Sequence, residues 1–202
     1  MNNVLVIKSS ISGDNGKSHQ LITHLLAQAP ASNLTVTEID LNTKPLPHLE
    51  MVEMASWMTP AADRTSEQQA LAALSDELIA KVQAADAIVI GVPMYNFALP
   101  SQLKALLDRL ARAGVTFKYT EQGPVGLLQD KPIVLALTRG GIYANGTADS
   151  QVPFLKTFFN FVGLTQLHYV YAEGLNMGPD SAEAALTAAQ NEFTEIAKTL
   201  FA

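Results

Sequence analysis

The sequence predicts an α/β fold: a doubly wound, five-stranded parallel sheet in the order 2-1-3-4-5, with helices on both faces. Three observations carry that expectation. Short runs rich in β-branched or aromatic residues alternate with helix-like segments, the pattern of a parallel sheet with crossover helices. Some of those runs are almost continuously apolar, as strands covered on both faces must be. The residues that carry chemistry fall just after the apolar runs, where open parallel sheets bind ligands.

The elements follow in order. Residues 4–8 (VLVIK), 34–40 (LTVTEID), 87–92 (AIVIGV), 133–138 (IVLALT) and 167–172 (LHYVYA) read as strands. The second alternates polar and apolar residues and suits a sheet edge. Helices are expected over 18–28, 66–84, 101–113, 152–162 and 181–200. The second crossover is long, and its KPLPHLEMVEMASWMTPAADR insertion holds Met51, Met54, Trp57 and Met58. Such an insertion is often functional or interfacial, so these residues serve either as an adaptable substrate or partner wall or as ordinary packing. A second insertion, FKYTEQGPVGLLQD, reads as a loop or short hairpin.

Composition narrows the function. A single domain over residues 1–202, with 48% hydrophobic residues, has ample material for one core. The chain has no cysteine, which excludes disulfides, thiolate metal sites and a cysteine nucleophile. A formal net charge of -6 argues against nucleic acid as a partner, and no apolar run approaches the roughly 20 residues of a membrane span. The chain passes from Met1 straight into a strand-like run without signal-peptide order, so the expected location is cytoplasmic. The histidines show no metal-ligand spacing and no HExxH helix, and a GxSxG nucleophile elbow is absent.

The first loop, SSISGDNGKS, ends like a triphosphate-binding P-loop, but Ile11 stands where that motif needs glycine. What remains is a turn leading into a helix start. Ser10, Gly16, Lys17 and Ser18 suit a terminal monophosphate bound by hydroxyls, backbone N–H groups and one full charge. The alternative is an N-cap at Ser18 and an ordinary turn. The loop after the third strand, Pro93, Met94, Tyr95, Asn96 and Phe97, places apolar and aromatic side chains at a sheet edge, where a flat ligand would cover them. Asn96 adds an amide for a heterocycle edge. The competing reading is a core corner. After the fourth strand, Thr138, Arg139, Gly140, Gly141 and Tyr143 offer backbone N–H groups that a ligand can approach closely; a tight turn is the alternative. A phosphate cradle, an aromatic shelf and a glycine-lined polar edge at one crevice describe a site for flavin mononucleotide, FMN.

These residues resemble the FMN-dependent NADH-azoreductases, also described as NADH:quinone oxidoreductases, which have a flavodoxin-like fold. The resemblance runs through VLVIKSSI, SDELIA, PMYNFALPSQLK, ARAGVTFKYTEQGPVGL, TRGGIY and YAEGLNMGP, and so covers essentially the whole chain. It implies a homodimer with two sites at the subunit interface, and FMN on the three loops just named. It also implies substrate contacts from Tyr143 and, across the interface, Tyr119 and Phe161. Members commonly carry serine where this chain has Gly16, many have serine at Thr138 and some histidine at Tyr143, while residues 51–60 match poorly.

The reaction expected is ping-pong. NADH or NADPH gives a hydride to the flavin N5 and leaves, and a quinone, azo or nitroaromatic compound then accepts two electrons in the same place. No protein acid, base or nucleophile is nominated. Two other classes compete. An electron carrier would dock redox proteins through clustered acids, whereas these loops hold only Asp14 and are flanked by Lys17 and Arg139. A structural module of the same shape would stay colourless when FMN is added.

Overall fold

A computed structural model of the chain describes residues 3–30 and 34–201. The strands β1 (Asn3–Lys8), β2 (Thr35–Asp40), β3 (Ala87–Pro93), β6 (Ile133–Thr138) and β7 (Leu167–Ala172) form a five-stranded sheet in the order β2-β1-β3-β6-β7. All of its pairings are parallel. This is the expected order, because the second insertion forms its own antiparallel hairpin, β4 (Phe117–Thr120) with β5 (Gly123–Gly126). The remaining elements are α1 (Lys17–Leu26), α2 (Met51–Met58), α3 (Ser66–Ala84), α4 (Ser101–Leu110), α5 (Gln151–Val162) and α6 (Pro179–Leu200).

The alternation of side chains along each strand builds two cores. Leu5, Ile7, Ile88, Ile90, Val92, Ile133, Leu135 and Leu137 point to the face covered by α3, α4 and α5. Val4, Val6, Ala87, Val89, Val134 and Ala136 point to the face covered by α1 and α6, where Phe193 is fully buried. Each fully buried Leu or Ile contributes about 1.5–3 kcal/mol relative to exposure. The central strands are thus apolar throughout because both faces are dry. β2 is mostly exposed and lies at the edge, as its TVTEID alternation predicts.

Local signals set several boundaries. Thr65 and Gln68 form a reciprocal capping box at the start of α3, with bonds of 3.2 and 3.0 Å. α4 ends at Leu110, earlier than the expected 113, because the Thr116 hydroxyl donates to Leu110 O and accepts from Arg112 N at 2.9 Å. Lys131 closes the C-terminus of α3 by donating to Val82 O, Gln83 O and Ala85 O.

The first insertion is anchored by charge. Glu53 of α2 receives two hydrogen bonds from the buried Arg109 of α4, at 2.8 and 2.6 Å, and Arg109 also donates to Pro47 O at 2.8 Å. Removing one partner of such a pair costs about 3–5 kcal/mol. Met51 and Met58 are exposed, whereas Trp57 is half-buried beneath Arg112 at 4.9 Å. The packing reading fits Trp57, while Met51 and Met58 are open to solvent.

Candidate functional site

The loops that follow β1, β3 and β6 meet at the carboxyl edge of the sheet. Tyr95 joins the first two: its hydroxyl lies 3.2 Å from Ser10 Oγ and accepts from Ile11 N at 3.2 Å. The second and third are joined where Met94 N donates to Thr138 O at 2.9 Å and where the Phe97 and Tyr143 rings meet edge-on at 5.6 Å. Residues more than a hundred positions apart in sequence thus line one crevice, at the point where the strand order reverses.

The first loop makes an anion cradle. A short 3-10 turn over Gly13–Asn15 brings the chain to Gly16, which begins α1 without any side-chain cap. Among the described residues the N–H groups of Lys17, Ser18 and His19 therefore have no acceptor, and together with the helix dipole they favour an anion. Ser18 is fully buried, and its Oγ has no hydrogen-bond partner. It rests against Gly91 of β3, where an added Cβ would come within 3.1 Å of it. Leaving a buried hydroxyl unpaired costs about 1–3 kcal/mol, which a hydrogen-bond partner at this point would recover. Lys17 is exposed, and its ammonium donates to Gln20 Oε1 at 3.2 Å.

Gly16 contributes differently from expectation. Its N–H donates to Gly13 O at 3.0 Å and so is already used inside the loop. A Cβ here would lie 2.4 Å from Ser10 Oγ and 2.7 Å from Ser10 Cβ. Ser10 thus fills the space a serine at this position would take.

The second loop is a strained shelf. Tyr95 and Ala98 exchange backbone hydrogen bonds of 3.1 and 3.0 Å, closing a two-residue turn. Its central residues, Asn96 and Phe97, both have positive φ, 50° and 64°. Asn tolerates this region, but for Phe the left-handed conformation costs about 1–2 kcal/mol. Phe97 is nonetheless 58% exposed. Strain of this kind clusters at active sites and ligand clamps.

In the third loop the N–H groups of Gly140 and Gly141 have no acceptor among the described residues, while their carbonyls accept from Asn176 N and Gly174 N at 2.9 Å. Tyr143 folds back over the loop, with its hydroxyl 2.6 Å from where a Gly141 Cβ would stand. Arg139 corrects the sequence reading: its side chain is fully buried and paired with Asp149 and Glu173, so its charge does not flank the crevice. The loop after β7, residues 173–178, was not read from the sequence as part of the site, yet it supports the glycine pair through Glu173, Gly174 and Asn176.

Two predicted residues stand apart. Tyr119 is 74% exposed and Phe161 half-buried, and both pack on Phe117, with ring centroids 5.6 and 4.2 Å away. The hairpin is seated against the C-terminal end of α5, where Gly126 meets the Gly163 backbone so closely that a Cβ would lie 2.1 Å from its nitrogen. α5 begins beside the shelf at Gln151, and Phe161 lies ten residues further on. At 1.5 Å per residue that is about 15 Å away.

The electrostatics around α1 are mixed. Burial, and secondarily the positive Lys8, holds the His19 imidazole below its ordinary pKa, against the opposing pull of Asp40, Asp14 and Glu38. Burial would lower Lys8, but its bond to Glu38 at 2.8 Å and the acids nearby outweigh that and raise it. Among the described residues no cluster of His, Cys, Asp or Glu is arranged to hold a metal ion, and no helix is long and apolar enough to cross a membrane.

Fold and loop geometry together define a flavodoxin-like protein whose three loops meet at the topological switch point. A family model described as the flavodoxin-like fold matches residues 2–197. An FMN-dependent NADH:quinone oxidoreductase of Alcanivorax borkumensis is 50% identical over 192 residues, covering 94% of this chain and 97% of the relative. The protein of the same name from Alteromonas mediterranea is 47% identical, covering 98% and 100%. A crystal structure of azoreductase from Bacillus anthracis superposes with a TM-score of 0.88 at 34% identity, covering 98% of this chain and 100% of the other. The chain belongs to the FMN-dependent NADH:quinone oxidoreductase family.

Proposed function

We propose that this protein is an FMN-dependent oxidoreductase that passes two electrons from NADH to quinones, with azo and nitroaromatic compounds as further acceptors, in a ping-pong order. One observation above all supports it: a fully buried, unpartnered Ser18 hydroxyl beside three unpaired helix N–H groups, at the same sheet edge as an exposed aromatic shelf. The relatives bear the same activity in their names, and one neighbouring structure, 29% identical with a TM-score of 0.88, is an azoreductase in complex with FMN.

The residues present fit FMN. Ser18 Oγ and the N–H groups of Lys17, Ser18 and His19 would hold the terminal phosphate, and Lys17 adds a screened charge. Ser10, now shared with Ser12 N and Tyr95, can turn one bond toward the same anion. Met94, Tyr95 and Phe97 would cover the ring, and Pro93 fixes the exit of β3. When bound, FMN supplies a hydride-accepting N5 and returns two electrons to the second substrate. The N–H groups of Gly140 and Gly141, with the Asn96 amide, would hold the polar edge of the ring and stabilise the negative charge that gathers there on reduction, since donors already in place need no reorganisation. The backbone N–H of Arg139 is used elsewhere, bonded to Ala172 O at 2.9 Å.

Phe161, near the far end of α5, and Tyr119, on the hairpin packed beside it, lie too far from the crevice to reach the site of their own chain. A homodimer that brings them to the partner's crevice accounts for the exposed Tyr119 ring. A donor drawn from the cellular NADH pool is consistent with cytoplasmic residence.

Steady-state oxidation of NADH with a soluble quinone and added FMN tests the proposal. Parallel double-reciprocal lines are expected, and running NADPH beside NADH sets the donor preference. A yellow, folded protein that oxidises neither nicotinamide would instead be an electron carrier.

A further inference from the structure

Arg139 is the most elaborately bonded side chain near the site. Its Nε donates to Gln151 Oε1 at 3.1 Å, Nη1 and Nη2 donate to the Asp149 carboxylate at 3.1 and 2.8 Å, and Nη1 also reaches Glu173 at 3.0 Å. The Tyr171 ring lies 5.2 Å from the guanidinium. Two of these partners reach onward to opposite sides of the crevice. Gln151 Nε2 donates to Pro93 O at 3.0 Å and Ala98 O at 3.3 Å, the two ends of the shelf. Glu173 accepts from Tyr143 N at 2.8 Å and from Ala144 N at 3.0 Å, at the end of the glycine loop. Ser150, beside Gln151, donates to Phe97 O.

We propose that Arg139, Gln151 and Glu173 are positioning residues that lock the shelf and the glycine loop into one receptor, so that the two loops hold or loosen together. The coupling stands on the protein alone; its consequence for the flavin rests on the function proposed above. The glycine loop can swing away only by breaking its bonds to the Glu173 carboxylate, and the shelf only by breaking its bonds to the Gln151 amide, which the buried Arg139 guanidinium holds in place. Freeing Glu173 would leave a buried charge less well paired, which is costly. The shelf also stores backbone strain at Asn96 and Phe97, which persists only when its surroundings hold it. Gln151 supplies that hold by bonding Pro93 O and Ala98 O, the two ends of the shelf, at once.

The test is amide exchange in the apoprotein by NMR, paired with FMN titration. Gln151→Met removes the bonds to the shelf, and Glu173→Gln removes the charge while keeping an acceptor for the loop. Each variant is expected to speed exchange of the Tyr95 and Ala98 amides and also of the Tyr143 and Ala144 amides. FMN Kd is expected to rise about tenfold in each, and by far less than the product in the double variant, the non-additivity of residues in one network. Arg139→Lys, which keeps the charge but not the planar fork, should loosen both loops and serves if either other variant fails to fold. Faster exchange confined to the loop nearest each substitution, with Kd changes that multiply, would overturn the proposal. A wild-type protein that binds no FMN would end the functional reading while the amide data still decide the coupling.

Discussion

Replacing Ser18 with alanine should move two quantities in opposite directions. In the apoprotein the Ser18 hydroxyl is buried and unpaired. Removing it relieves a desolvation cost of about 1–3 kcal/mol. Even the low end of that range corresponds to a Tm about 2–4 °C higher for a domain of this size. With ligand present the balance reverses, because a hydrogen bond to a charged phosphate is worth about 1.5–3 kcal/mol. FMN Kd should therefore rise roughly tenfold to a hundredfold. Differential scanning fluorimetry of the apoprotein and quenching of flavin fluorescence on titration read the two effects. An apoprotein destabilised by the substitution, or FMN affinity unchanged, would refute the assignment of this hydroxyl to the phosphate.

Phe97→Gly should leave stability within about 1 kcal/mol of wild type, since relief of about 1–2 kcal/mol of left-handed strain is offset by glycine entropy and the lost Tyr143 contact. Quinone turnover should fall about tenfold or more, as the ring loses an aromatic cover worth about 1.5–3 kcal/mol; unchanged turnover would remove Phe97 from the site. His19 is held below its ordinary pKa by burial and then by Lys8, with Asp40, Asp14 and Glu38 opposing, so the unfolded chain binds the proton more readily. The stability this contributes is present above the unfolded value, about 6.5, and is lost as pH falls below it. Urea melts from pH 7.5 to 5 should therefore show a steeper loss in wild type than in His19→Asn, and equal slopes would count against it. Gly126→Ala should unseat the hairpin from α5, because its Cβ would lie 2.1 Å from Gly163 N; light scattering should show a weakened dimer, and an intact one would place the interface elsewhere.

The sequence made the sheet legible because its signals are local and periodic. The strands at 133–138 and 167–172 and the helix at 66–84 have the boundaries expected, since each is an apolar or amphipathic run between clear breakers. The three loops were legible for a related reason: chemistry-bearing residues sit directly after strands whose order could be inferred. Long-range polar pairing was not. Nothing around Arg139 signals that its charge is taken up by Asp149 and Glu173, ten and thirty-four positions away. α2 was missed as a helix because its N-cap, Glu50, makes no side-chain bond and it is held instead by the remote Arg109. The loop after β7 entered the sequence reading only through family resemblance, because its role is to brace another loop through backbone bonds.

A crystal structure of the protein with FMN tests most directly whether the turns after β1, β3 and β6 form one flavin site. The prediction is a phosphate within hydrogen-bond distance of Ser18 Oγ and the Lys17–His19 amides, with the ring against Met94–Phe97 and its polar edge at Gly140 and Gly141. A flavin bound anywhere else, or a phosphate that leaves the Ser18 hydroxyl unpaired, would contradict it.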